Sequence, residues 1–143
     1  MPEAAHTIQV DIVSAEGEIF SGTAKMVFAP ASQGEIGIAP RHAPLLSLLK
    51  AGEVRVQTPE GEEQVFFVGG GAIEVQPHHV TVLADTALRA KDIDEAAALA
   101  AKQRAEEALR DKSGQISQAE ALAELARAAA QLKVLERLRK LRG

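Results

Sequence analysis

The hydrophobic pattern changes its period near residue 90, so the chain must combine two kinds of structure in series. Before about Asp85, apolar and polar residues alternate, as in TIQVDIV, where Ile8, Val10 and Ile12 share one face. Such alternation predicts half-buried antiparallel strands. Residues 92–112 are strong helix formers without glycine or proline. We therefore predict a β-domain over residues 1–88 and a helical part over residues 89–143.

Turn signals divide the first part at short intervals. The segments AEGE, SQGE, TPEGEE, GGG and QPHH separate short apolar runs, which indicates a sandwich or a flattened barrel. The run VFFV at 65–68 is apolar throughout and predicts a strand covered on both faces. Val54 and Val56 alternate with Glu53 and Arg55, which predicts one buried and one polar face. We interpret the glycines at 69–71 as a turn between strands.

Two helices are predicted in the second part. Asp92 with Glu95, and Ser117 with Glu120, have the spacing of capping boxes, and Ser113–Gln115 breaks the helical pattern. The short break predicts an antiparallel hairpin. One apolar stripe is predicted on the second helix, formed by Leu122, Leu125, Ala129 and Leu132.

The hairpin is rich in alanine and ends in a basic segment. Alanine favours helix but offers little apolar area, so we expect the hairpin to be held loosely to its neighbours. The last twelve residues, LKVLERLRKLRG, carry five bases and one acid. These bases form either an ordinary solvated face or an arm that binds an anionic partner.

Composition excludes several classes of function. A net charge of −4 and an aromatic content of four phenylalanines argue against binding to nucleic acid. The absence of cysteine removes thiolate metal sites and thiol nucleophiles. No secretory signal is visible, and no apolar run approaches the roughly 20 residues that cross a bilayer. Membrane association is therefore expected only through a partner.

Glu35 and His42 form the first candidate for acid–base chemistry. No nucleophile or metal-ligand set accompanies them, so a surface contact in a turn explains them better, and an enzyme remains the third-ranked interpretation. His78 and His79 are adjacent and would point to opposite faces of a strand, which suits a polar hairpin turn better than a metal site. The segment VGGGAIEV lacks the Gly-Lys-Ser/Thr of a phosphate loop.

Four segments together resemble a known family. The segments are DIVSAEGEIFSG, GEIGIAPRHAPLLSLLKAGEVRV, EVQPHHVTVLADTALRA and the alanine-rich hairpin, and they follow one another from about Thr7 to Leu141. They are similar to the epsilon subunit of bacterial F-type ATP synthase. GEIGIAPRHAPLL and VTVLADTA are the most specific of these pieces.

The resemblance implies a flattened ten-stranded β-sandwich followed by two antiparallel helices. It implies a non-catalytic subunit of the proton-translocating complex, bound to the gamma subunit and to the c ring at the cytoplasmic face of the bacterial inner membrane. The helical hairpin would either fold onto the sandwich or extend toward the beta and alpha subunits and inhibit ATP hydrolysis. A free-standing two-domain adaptor is the alternative.

The resemblance also assigns roles to individual residues. Contacts with the c ring are expected from Gly34, Glu35 and Gly37. Contacts with gamma are expected from Arg41, His42, Pro44 and Leu45, and the run Leu45–Leu49 is expected to supply burial there. The regulatory residues of the hairpin would be Asp94, Arg127, Lys133, Arg137, Arg139, Lys140 and Arg142.

One position departs from the pattern of the family. Many relatives carry Ile/Leu-Asp-x-x-Arg-Ala at the start of the first helix, and some bind ATP there. Here Ala97 occupies the arginine position, which removes a bidentate phosphate ligand. We therefore expect no cofactor, and Asp94 would serve as an acid of the first helical turn.

Overall fold

Eight strands precede two helices in the computed structural model, which describes residues 6–111 and 117–142. The predicted break at Ser113–Gln115 lies outside the described residues. A 3₁₀ turn at Ala90–Asp92 connects the strands to the helices. The strands are β1 Ile8–Ser14, β2 Gly17–Ala24, β3 Met26–Ala31, β4 Gly34–Ile38, β5 Leu45–Gln57, β6 Glu63–Gln76, β7 His79–Ala84 and β8 Ala87–Arg89. The helices are α1 Glu95–Arg110 and α2 Gln118–Arg142.

The strands are hydrogen-bonded in the order β2-β1-β7-β6-β5-β3-β4, and β8 pairs with β6. A simple meander would pair each strand only with its neighbours in sequence, but here β1 lies beside β7. The β1–β7 pair is parallel, so the expectation of antiparallel strands is wrong for this pair. The other strand pairs among the described residues are antiparallel. A parallel pair requires a long crossover, and the chain from β2 to β6 supplies it.

Ten strands were expected, but the described residues form eight. The number is smaller because β5 and β6 are long. They have 13 and 14 residues and pair with each other along most of their length. β6 pairs with β8 through Phe66–Val68 and with β7 through Gly71–Gln76. One continuous strand thus serves two neighbours where two separate strands were expected.

The glycines at 69–71 lie inside β6, so the prediction of a turn there is wrong. Gly70 and Gly71 have φ of 117° and 130°, values that L-residues rarely adopt. A Cβ on Gly71 would collide with the carbonyl oxygen of Leu83. These glycines allow β6 to change partners while its backbone stays close to β7.

The sandwich core is formed by the inward face of every strand, as the alternation predicts. Ile8, Val10 and Ile12 are buried, and so are Val54 and Val56. Phe66 and Val68 belong to the same core. The remaining members are Ala24, Val27, Ala29, Ile38, Leu49, Ile73, Val75, Val80, Val82, Ala84 and Ala87.

The outer face of β6 is covered by α2. Val65 and Phe67 pack with Ala130, Val134 and Leu135 of that helix in a second apolar cluster. The prediction that residues 65–68 are covered on both faces is therefore confirmed. The second layer of cover is a helix in this part of the molecule.

The predicted stripe on α2 is wrong. Leu122 is 57% exposed and Ala129 is exposed, whereas Ala121 and Ala128 are buried. α1 buries Ala98 and Ala105 at the same spacing of seven, which is the spacing of a seam between two helices. α2 packs on both α1 and the sandwich. It therefore buries two narrow apolar faces, one against each partner, instead of a single broad apolar face.

The contacts between the helices show that they run antiparallel. Arg139 near the end of α2 pairs with Glu95 at the start of α1, with 2.8 Å between Nη2 and Oε2. Ser117 accepts a hydrogen bond from the Glu120 amide at 3.1 Å, as predicted. The predicted cap at Asp92 is wrong, because Asp92 lies in the 3₁₀ turn. Asp94 is the cap, and its Oδ1 accepts from the Ala97 amide at 3.1 Å.

We predict that Gly71→Ala destabilises the sandwich by about 2–5 kcal/mol, because positive-φ strain and collision with β7 add together. Gly17→Ala is the matched control. Gly17 has φ of 131°, and a Cβ added there would meet no atom within 4 Å, so this variant should lose only the strain, about 1–2 kcal/mol. Urea unfolding of both variants measures the difference, and equal losses would contradict the close approach at Gly71.

Candidate functional site

Glu35 lies on strand β4, just after a tight turn, whereas a loop position was expected. Gly34 opens β4 opposite Ala31 of β3 and has φ of 132°, which favours glycine. The Glu35 carboxylate accepts a hydrogen bond from Nη2 of Arg55 at 3.1 Å. Its side chain remains half exposed. The acid is thus held in place while one side of it still faces solvent.

Gly37 has a different role from Gly34. A Cβ at this position would lie 3.2 Å from the ring of Phe28 on β3, so the glycine makes room for that ring. The Arg55 guanidinium lies over the same ring, 4.3 Å from its centroid. Gly37 therefore helps to position the cation that holds Glu35.

A charge cluster forms where α2 crosses β5, and it consists of Glu35, Glu53, Arg55, Glu63 and Arg137. Glu53 is only 8% exposed. Nε of Arg137 lies 2.7 Å and 2.8 Å from the two carboxylate oxygens of Glu53. The hydrogen bond to Glu53 raises the pKa of Arg137, with a smaller opposing effect from burial. This contact joins the helical hairpin to the sandwich.

Arg55 lies at the centre of the charge cluster. Besides Glu35 it approaches Glu53 and Glu63, each with a nitrogen–oxygen distance of 3.6 Å. Sequence reasoning placed Glu53 and Arg55 on a polar outer face and missed their burial. The sequence did show an acid, Glu53, on that face and several bases in the last helix. Nothing in the sequence indicated that the acid and one of these bases would form an ion pair.

The segment expected to contact gamma forms the turn before β5. The Arg41 amide donates to the Pro77 carbonyl at 2.8 Å, and Nδ1 of His42 donates to the Ala43 carbonyl at 2.7 Å. Pro44 is exposed and Leu45 is half-buried. Because Glu35 is paired with Arg55 and His42 with a carbonyl, the structure does not bring Glu35 and His42 together as an acid–base pair.

A row of leucines extends from this segment across the sheet, and we call Leu46, Leu48 and Leu83 the leucine patch. They are 74%, 69% and 53% exposed. Leu48 is opposite Ala72, and Ala72 is opposite Leu83, so these side chains share one face. The whole run Leu45–Leu49 was expected to supply burial; Leu45 and Leu49 pack toward the core, whereas Leu46 and Leu48 are exposed in the isolated chain. The alternation of strand side chains was the signal that could have found them.

The basic residues of α2 divide into paired and unpaired groups. Arg137 and Arg139 contact Glu53 and Glu95, and Lys140 pairs with Glu136 at 3.7 Å. The other predicted bases, Arg127, Lys133 and Arg142, form no ion pair with any described residue.

Two of the clefts beside α2 have Arg127 or Lys133 on their walls. One of about 540 Å³ is lined by Ala97, Arg104, Glu124 and Arg127 among others. Arg104 pairs with Glu124 at 3.5 Å, and Ala97 contributes only a methyl group. The other cleft, about 410 Å³, has Lys133 on its wall together with residues of the charge cluster.

A polar cluster on the sandwich joins β1, β2 and β7. Oδ1 of Asp11 accepts from Ser21 at 2.6 Å, and its Oδ2 lies 2.6 Å from Nε2 of His79. The hydrogen bond from Ser21 lowers the pKa of Asp11, and burial opposes it. Ser21 and His79 contact the acid and not each other, so this is not a nucleophile–base arrangement. His78 lies in the turn before β7, as predicted, whereas His79 is the first residue of β7.

Among residues 6–111 and 117–142, no three His, Cys, Asp or Glu side chains are placed to hold a metal ion. No helix in that part of the chain is both long and apolar enough to cross a membrane.

We predict that Asp11 stabilises the sandwich above its ordinary pKa of 3.8. Because the pKa is lower in the folded state, this contribution is lost as the pH falls through the folded-state value. The difference in unfolding free energy between the wild type and Asp11→Asn should decrease as the pH falls from 3.8 through the folded-state value. Urea unfolding at a series of pH values measures it. A difference that did not change over this range would contradict this role.

Two family models match the chain in succession. The model described as ATP synthase, Delta/Epsilon chain, beta-sandwich domain matches residues 7–90. The model of the long alpha-helix domain of the same chain matches residues 91–136. Together they span the sandwich, α1 and most of α2.

Curated relatives match over nearly their full length. The ATP synthase epsilon chain of Nitrosococcus oceani is 68% identical over 139 residues, which cover 97% of this chain and 99% of that one. That of Halorhodospira halophila is 62% identical over 136 residues, covering 94% and 96%.

Solved structures share the fold at low identity. A chain of the Euglena gracilis mitochondrial ATP synthase structure aligns with a TM-score of 0.70 and 16% identity, covering 96% of this chain and 82% of that one. A chain of the Tetrahymena thermophila mitochondrial ATP synthase central stalk and c-ring structure aligns with a TM-score of 0.60 and 12% identity, covering 90% and 96%. From the two family models and the full-length relatives together, the chain belongs to the ATP synthase epsilon-chain family.

Proposed function

We propose that the chain couples the gamma subunit to the c ring in an F-type ATP synthase and restrains ATP hydrolysis through its two helices. As a member of the epsilon-chain family, it is a non-catalytic subunit of that complex. Residues 1–88 would bind gamma and the c ring, and residues 89–143 would regulate. The complex would hold the chain at the cytoplasmic face of the bacterial inner membrane.

The leucine patch is the observation that carries the proposed contact with gamma. The three leucines expose an apolar surface on one face of the sheet. Contact of this surface with water is unfavourable, and a helix of the partner would cover it. The Arg41–Leu45 segment adjoins this surface, because Leu46 follows it directly in β5. Arg41, His42, Pro44 and Leu45 would form the rim of the gamma contact, and the leucine patch its centre.

The c-ring contact is proposed for the turn between β3 and β4. Glu35 is half exposed there, and Gly34 and Gly37 leave little side-chain bulk on either side of it. A carboxylate already oriented by Arg55 loses little conformational freedom when a basic loop approaches. The contact would transmit force and involve no bond making.

The hairpin would regulate by moving between two positions. In the position described here, α2 lies on the sandwich and Arg137 is bound to Glu53. In an extended position, all the bases of α2 could meet anionic segments of the beta and alpha subunits. The two positions must differ by only a few kcal/mol for physiological signals to shift them. The alanine-rich seams support such a small difference, because alanine buries little apolar area.

We expect Leu48→Asp to weaken binding to purified gamma by about ten- to a hundredfold, because a leucine side chain contributes about 1.5–3 kcal/mol when buried. The leucine is exposed in the free chain, so folding should be unaffected. Leu122→Asp, at a comparably exposed leucine of α2, is the control and should bind normally. Titration calorimetry measures both. Unchanged binding by Leu48→Asp would exclude the leucine patch as the gamma contact.

Removal of α2 should relieve inhibition in the assembled complex. A chain ending at Arg110 is expected to raise ATP hydrolysis severalfold, measured by phosphate release. A second variant keeps α2 and replaces Arg127, Lys133 and Arg142 with glutamine. These bases form no ion pair with described residues in the folded-down position, so this variant should raise hydrolysis without loss of thermal stability. If neither variant changes hydrolysis, the chain has no inhibitory arm.

A further inference from the structure

The apolar contact of α2 with the rest of the chain involves few side chains. Ala130, Val134 and Leu135 pack with Val65 and Phe67 of the sandwich and with Ala90 and Ile93 of the connecting segment, and Ala51 and Leu138 lie at the edge. Alanines contribute little to such a contact. A polar interaction across the same boundary can therefore decide how firmly the hairpin is held.

Arg137–Glu53 is the one ion pair that crosses this boundary between described residues. The other pairs of the hairpin stay within it, since Arg104 binds Glu124, Arg139 binds Glu95 and Lys140 binds Glu136. Undocking separates Arg137 from Glu53 and loses the two short contacts, 2.7 Å and 2.8 Å, between Nε and the carboxylate oxygens. That loss of charge-assisted hydrogen bonding favours the docked position.

Arg55 competes with Arg137 for the same carboxylate. Its Nε is buried without a hydrogen-bond partner among the described residues, and it lies 3.6 Å from Oε1 of Glu53, the oxygen that Arg137 also contacts. A shift of a few tenths of an ångström toward Glu53 would satisfy this nitrogen. The guanidinium is restrained by the Phe28 ring, by Glu63 at 3.6 Å and by Glu35 at 3.1 Å, and Glu35 is the nearer of the two acids.

Glu35 therefore acts on the hairpin in two ways, and both favour the docked position. It restrains Arg55, and its negative charge attracts Arg137, whose pKa it helps to raise. A cation that neutralises Glu35 frees Arg55 to bind Glu53 and also removes this attraction. Both effects weaken the hold of Glu53 on Arg137.

We propose that the Arg137–Glu53 ion pair, here called the latch, holds the hairpin in the docked position. Glu35, acting through Arg55, sets the strength of this ion pair. An external cationic group that binds Glu35 then releases α2 from the sandwich. If Glu35 faces the c ring, as the proposed function has it, contact with the ring and release of the hairpin are linked. The linkage from Glu35 to Arg137 is a property of the isolated chain and does not depend on that assignment.

A thiol-trapping experiment on the isolated full chain tests the latch. The chain has no cysteine, and Val134 is fully buried against the sandwich. In a Val134→Cys background, the rate of reaction with a thiol reagent therefore reports the undocked fraction. Val10→Cys, buried in the sandwich core, reports unfolding of the sandwich in the same variants.

Glu53→Gln and Arg137→Gln should each raise the labelling rate at position 134 by about tenfold, an effect between those of exposed and buried ion pairs. Arg104→Gln is the matched control, because it removes an ion pair inside the hairpin, and its effect should stay below about twofold. Labelling at position 10 should not change. If Glu53→Gln and Arg104→Gln had equal effects, the latch would be refuted.

The role of Glu35 is tested by a double-mutant cycle. Glu35→Gln should raise labelling at position 134 by about threefold in the otherwise wild-type chain, less than loss of the latch itself. It should have no further effect when Arg137 is already glutamine. An equal effect in both backgrounds, or none in either, would overturn the coupling between Glu35 and the hairpin. Both outcomes are independent of whether the chain binds gamma or the c ring.

Discussion

β6 is apolar on both faces, and the rest of the molecule is arranged around this constraint. Phe66 and Val68 face the sandwich core, whereas Val65 and Phe67 face outward. Water disfavours such an outward face unless another element covers it. The covering element is α2, which closes the polypeptide back on its own sandwich. The position of the hairpin is thus a consequence of one strand with two apolar faces.

The same crossing point gathers charges from four elements. Glu35 comes from β4, Glu53 and Arg55 from β5, Glu63 from β6 and Arg137 from α2. Such groups interact strongly because they are partly withdrawn from water. An acid near the edge of the sandwich and a helix on its surface are therefore not electrostatically independent. This arrangement suits the proposed function, in which the contact surface and the helices respond to each other.

The leucine patch illustrates how strand geometry separates two roles within five residues. Leu45 and Leu49 pack toward the core, and Leu46 and Leu48 point to solvent. A single stretch of apolar sequence can therefore stabilise the sandwich and offer a surface to a partner. Which leucine has which role depends on the register of β5 with β6.

The sequence by itself determined the inward faces of β1 and of β5 at Val54 and Val56, the change from strands to helices, and the Ser117 cap, because these depend on residues close together in the chain. The resemblance carried by the four segments, of which GEIGIAPRHAPLL and VTVLADTA are the most specific, also identified the family. Tertiary structure decided the parallel pairing of β1 with β7, the continuity of β6 through three glycines, and the burial of Glu53. Each of these depends on residues distant in sequence, whose contacts arise only when the sandwich closes and α2 packs on it. Local periodicity contains no information about which distant surfaces meet.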